Sequence, residues 1–161
     1  DMPSYTSRET QALRDVPANI PGDPAYGGRH RVFRSTIQLN NLRTNSSTGT
    51  ATAGLAVGDD VLLADLPSGY RFAGYEIVSS VALGTTTINI GNTQVHATNT
   101  KFATGITVPA AEAVVTGGFV GNATQRAAPA SIGERIFATF GVAAVAASAN
   151  NIVIDIIAVG P

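Results

Sequence analysis

LADLPSGYRFAGYEIVSSVALGTTTINIGN, residues 63–92, decides the fold. The segment before it, DDVLLADL (59–66), reads as a strand that runs into Pro67-Ser68-Gly69. Proline presets the turn and glycine supplies the free φ that reverses the chain. YRFAGYEIVSSVAL (70–83) then reads as a long strand interrupted at Gly74, the mark of a bulge or a close backbone approach. TTTINIG (85–91) alternates again, with Thr86, Ile88 and Ile90 on one side. The only charged residues of the stretch are Asp65, Arg71 and Glu76, and it has no His or Cys.

Outward from this centre the same texture continues. RVFRSTIQLNNL (31–42) puts Phe33, Ile37 and Leu39 on one face and Arg34, Gln38 and Asn40 on the other, a half-buried strand. TNSSTGTATAG (44–54) is a loop of small polar residues. GNTQVHATNTKFATGITV (91–108) reads as a loop followed by a short strand near 102–108, and PAAEAVVTGGF (109–119) as either a helical turn or a strand. ERIFATFGVAAV (134–145) places Ile136, Phe140 and Val142 on one face. NNIVIDIIAVG (150–160) is apolar on both faces except at Asp155, as a central or interface-covered strand is. Arg135, on a neighbouring strand, is the expected ion-pair partner of Asp155.

About eight short strands with turn signals roughly every ten residues imply a sandwich or barrel. The expected fold is all-β: a jelly-roll-like antiparallel β-sandwich over residues 31–161. An immunoglobulin-like sandwich ranks second, because the chain has no Cys and no Trp. Residues 1–30 differ in kind. They hold Pro3, Pro17, Pro21 and Pro24, half of the chain's eight prolines, and too few apolar residues for a core. They read as an extended Pro-rich N-terminal arm. Its recurring anchors Tyr5, Leu13, Val16, Ile20 and Tyr26, with Arg8, Arg14, Arg29 and Arg31, form the candidate partner interface.

Composition narrows the function. Of 161 residues only 13% are charged and 44% are apolar, against about a quarter charged in an average soluble domain. Two readings fit the deficit: a small β-protein with a Thr/Asn/Ser surface, or a surface that meets other subunits, since interface cores are depleted of charge. The 10 basic and 11 acidic residues balance, so no general attraction to nucleic acid or to acidic membranes is expected. No apolar run is long enough for a membrane-spanning helix, and the first residues carry no leader-like apolar core. His30 sits between two arginines and His96 in a Thr/Asn-rich loop far from any acid, so neither is expected to ligate a metal or catalyse. Asp59-Asp60 reads as a turn opening a strand rather than as a cation loop. No nucleophile, phosphate-loop or dinucleotide motif occurs, and neither an enzyme nor a cofactor is expected.

The run VGDDVLLADLPSGYRFAGYEIVSSVALGTTTINIGNTQ resembles small structural proteins of tailed bacteriophages. The features that match are the Leu-Pro-x-Gly turn at Leu66–Gly69, the long strand after it, and the Thr-rich strand from Leu83 to Gly91. GERIFATFGVAAVAASANNIVIDIIAV resembles the closing strand pair of such a domain. The resemblance spans residues 31–160. It implies a capsid decoration (cement) protein on the outer surface of the virion, often a homotrimer, whose partner is the major capsid protein. A carbohydrate-binding head-fibre tip and a tail or connector subunit are the alternatives.

Overall fold

The computed structural model describes residues 29–40, 42–43, 51–52, 54–118 and 133–160. Ten strands follow one another: β1 (Arg29–Gln38), β2 (Leu42–Arg43), β3 (Ala51–Thr52), β4 (Asp60–Leu66), β5 (Arg71–Ser79), β6 (Thr87–Gly91), β7 (Ala103–Ile106), β8 (Val114–Gly118), β9 (Glu134–Gly141) and β10 (Asn151–Gly160). β2 and β3 make a two-stranded ribbon. The other eight form two antiparallel sheets, β1-β10-β5-β8 and β4-β9-β6-β7.

Ranked one to eight in chain order, these strands run 1-8-3-6 in the first sheet and 2-7-4-5 in the second. The pairs 1-8, 3-6, 2-7 and 4-5 each sum to nine. A long hairpin of eight strands, folded at its middle and rolled up, gives this order, and that is the jelly roll.

The turn at Pro67–Gly69 forms as its residues dictate. Tyr70 N donates to Pro67 O at 3.1 Å, and Gly69 takes a φ of 85°. The interruption at Gly74 is a bulge: Ile157 pairs with Gly74 and Ala158 with Phe72, so Ala73 has no partner of its own. Between the sheets, Ile88, Ile90, Ile136 and Phe140 meet Ile77, Ile152, Ile154 and Ile156, all fully buried. Phe72 and Phe102 stack with ring centroids 4.6 Å apart. Each such side chain contributes about 1.5–3 kcal/mol of transfer free energy.

Of the two readings of residues 109–119 the strand holds, over 114–118. Three sequence expectations need revision. β1 begins at Arg29, two residues before the expected start of the sandwich at Arg31, so Arg29 and His30 belong to the sheet along with Arg31. The remaining arm residues lie outside the described residues: Tyr5, Arg8, Leu13, Arg14, Val16, Ile20 and Tyr26. Val142 does not share the buried face of Ile136 and Phe140, because the strand ends at Gly141. Ala143 N bonds back to Gly141 O at 2.8 Å, and Val142 is turned outward at a φ of 69°. Finally, the closing strands β9 and β10 lie in opposite sheets rather than as a pair.

Candidate interaction face

The two sheets differ in what covers their outer faces. Over the second sheet the chain supplies its own cover, the loop of residues 92–101. Asn99 anchors it. The buried Nδ2 donates to Phe137 O at 2.9 Å, Asn89 O at 3.2 Å and Thr139 Oγ1 at 3.3 Å. Its Oδ1 accepts from Thr93 N at 3.1 Å. Asn89 binds the same loop from below, its Nδ2 donating to His96 O at 2.8 Å. Two glycines let the loop lie flat. A Cβ at Gly91 would sit 2.3 Å from Asn99 Oδ1, and one at Gly141 would sit 2.4 Å from the His96 ring. This is why β9 is buried on both faces.

His96 therefore packs against the sheet, with Nε2 3.2 Å from Thr87 Oγ1. The acidic doublet serves the same framework. Asp59 Oδ2 accepts from Ala56 N at 2.7 Å and Asp60 Oδ2 from Gln94 Nε2 at 3.1 Å. Among the described residues no three His, Cys, Asp or Glu side chains gather as a metal site would require.

The outer face of the first sheet has no such cover among the described residues. Alternation and register assign its residues in rows across β1, β10, β5 and β8. One row is Thr36, Val153, Val78, Val114; the next is Arg34, Asp155, Glu76, Thr116; the third is Val32, Ile157, Gly74, Gly118. Val32 and Val114, at the two edges, are each 60% exposed. Five of these twelve residues are valine or isoleucine, on a sheet face turned to solvent where an antiparallel sheet ordinarily shows polar residues. Exposed apolar surface of this kind, crossed by a polar row, marks an interaction site.

The polar row has its own logic. Asp155 and Glu76 are directly opposite, a destabilising like-charge pair. Arg34 resolves it from the other side. Its Nε donates to Asp155 Oδ1 at 2.8 Å and its Nη2 to Oδ2 at 2.6 Å. That bidentate contact, with the Asp155 and Glu76 charges beside it, raises the Arg34 pKa above its ordinary value. Asp155 is thus paired with Arg34 and not with Arg135. Arg135 lies in the other sheet and faces Asp65 at 3.3 Å. Glu76 has no hydrogen-bond or ion-pair partner among the described residues.

No motif in the sequence marks this face. The signal for it was the two-sided apolarity of residues 150–160, which the strand's central place in its sheet accounts for only in part. Of the candidate interface residues, Arg31 lies on the opposite side of β1 from Arg34, with its guanidinium 5.1 Å from the Tyr70 ring centroid.

No family model matches the chain, and no curated protein matches it in sequence. Solved structures match it in fold. A chain of the cyanophage Pam1 capsid asymmetric unit is similar over 99% of this chain and 100% of its own, at 16% identity and a TM-score of 0.54. A chain of the capsid of Ralstonia phage GP4 is similar over 94% of both, at 18% identity and a TM-score of 0.56.

Proposed function

We propose that this chain is a non-enzymatic structural protein of a phage head. In this reading it is a decoration (cement) protein that binds the assembled shell of the major capsid protein from outside, as a homotrimer. The observation that carries the reading is the uncovered valine-rich face of the first sheet, on a jelly roll whose other face is sealed by its own loop. The fold likeness to chains of two phage capsids, over nearly the whole length, supports the same assignment. The residues gathered on the face offer contact area rather than chemistry. Binding the assembled shell but not its dissociated subunits stabilises the shell by mass action, and an arm that reaches a further subunit adds contacts at high effective concentration.

The test is copy number and binding. The protein is quantified against the most abundant shell protein in purified particles, and the chain with and without residues 1–28 is added to shells lacking it. A simple lattice ratio, with binding weakened by the deletion, is expected. A trace ratio reassigns the protein to tail, portal or fibre, and absence from particles overturns the reading.

A further inference from the structure

Glu76 stands in the polar row, where a single cation, Arg34, sits beside two carboxylates and gives both its hydrogen bonds to Asp155, so the row keeps an excess negative charge on a face flanked by valines. Covering that face would strand its charge unless the cover brings a cation. The row next to it is half empty. Neither Gly74 nor Gly118 carries a side chain; Gly74 is buried, with Gly117 O 3.0 Å from where its Cβ would stand, and the open space lies at Gly118, where a Cβ would meet nothing within 4 Å. Ile157, Glu76 and Thr116 border the notch so formed. The occupant that fits is an extended segment with a cation followed, two residues on, by a branched aliphatic side chain. Alternate residues of an extended chain share one side and advance by about 6.6 Å, the same step that separates the rows of the face.

The chain contains one such segment. In RDVPANI (14–20), Arg14, Val16, Ala18 and Ile20 fall on one side of an extended backbone. Pro17 and Pro21 restrict the residues before them, Val16 and Ile20, to extended conformations. We propose that residues 14–20 of one copy dock on the outer face of the first sheet of a neighbouring copy, with Arg14 on Glu76 and Val16 in the notch over Gly118. Arg29 stands opposite Gly160 at the end of the sheet, five residues from the Arg34 row, so β1 followed back to its first residue runs away from Glu76. The fifteen residues from Arg14 to Arg29 span up to about 50 Å, enough to reach an adjacent copy. The inference rests on the proposed role only for the presence of neighbouring copies.

The test uses the full chain without shells, following hydrogen exchange of residues 13–20 and molecular mass by light scattering over a range of protein concentrations. Protection that rises with concentration and tracks self-association is expected. Arg14→Glu and Glu76→Arg should each weaken association at least tenfold, and the double reversal should restore it. Gly118→Val, which fills the notch without touching a charge, should weaken it as well, with circular dichroism reporting that each variant is folded. Failure of the double reversal to restore association overturns the proposal. So does protection of residues 13–20 at every concentration, the signature of a chain covering its own sheet. Shell binding is measured separately, so a docked arm on a chain that ignores shells counts against the decoration role alone.

Discussion

Arg34 and Asp155 face each other across β1 and β10 and are joined by two hydrogen bonds, Nε to Oδ1 at 2.8 Å and Nη2 to Oδ2 at 2.6 Å. The Arg34 side chain is 67% exposed and that of Asp155 only 10%. The asymmetry fixes which loss matters more. Without the guanidinium, the Asp155 carboxylate is held in the sheet directly opposite Glu76 with nothing to offset either charge. Arg34→Ala is therefore expected to lower the melting temperature. Adding Asp155→Asn should recover part of the loss, because an amide tolerates the site without a counter-charge. Thermal melts of the two single variants and the double variant at low ionic strength measure this. A double variant no more stable than Arg34→Ala would show that the bridge offsets no repulsion.

Asn99 holds the loop over the second sheet by donating to two backbone carbonyls and a hydroxyl. Asn99→Ala leaves those acceptors and Thr93 N without their partner, at a cost of about 2–3 kcal/mol. Asn99→Asp should cost at least as much, since an ionised carboxylate cannot donate to the carbonyls of Asn89 and Phe137. Urea unfolding gives the free energies. Hydrogen exchange should show residues 92–101 opening in both variants while β5 and β10 stay protected.

Burial pushes the Tyr75 phenol up from its ordinary value. A raised folded-state pKa means that the fold favours the neutral phenol. The contribution is fully present below the unfolded value of about 10 and is lost as pH rises through the higher folded value. Alkaline unfolding above about pH 10 should therefore move to higher pH in Tyr75→Phe, with the neutral-pH stability curve changed far less. Identical alkaline midpoints for the two proteins would remove Tyr75 from that transition.

Some of this was legible in the chain and some was not, for definite reasons. The centrality of β10 could be read because a strand with Ile152, Ile154 and Ile156 on one face and Val153, Ile157 and Val159 on the other has no side suited to water. The turn at Pro67–Gly69 and the bulge at Gly74 could be read because only particular residues satisfy those backbones. The partner of Asp155 could not. Strands consecutive in sequence suggest a hairpin, and Arg135 was the basic residue of the preceding strand. The rolled topology instead sends β9 and β10 to different sheets and brings β1, more than a hundred residues away, beside Asp155. β8 was ambiguous because PAAEA favours a helix and VVT a strand. Pairing to β5 decides it, with the Tyr75 ring lying over Gly117 where any side chain would collide. The candidate face stayed hidden because its valines come from four separate strands and share a surface only once the register is set.

Ile154 and Val153 are adjacent on β10 and point to opposite sides of the first sheet, so they separate folding from function. Ile154 is fully buried between the sheets. Ile154→Ala removes core contacts and opens a cavity, and should cost about 2–5 kcal/mol. Val153 lies on the outer face between Thr36 and Val78. Val153→Ala should change stability by no more than about 1 kcal/mol, because water already reaches part of the side chain. Val153→Asp should leave the chain folded yet cut binding to decoration-free shells at least tenfold, since it places an unpaired charge in a desolvated contact. Denaturant melts and shell co-sedimentation on the same preparations supply both numbers. A Val153→Asp chain that is folded and binds shells as tightly as the parent would remove the outer face from the interface and move the search to the loops, where Val57, Val95 and Val142 are also exposed.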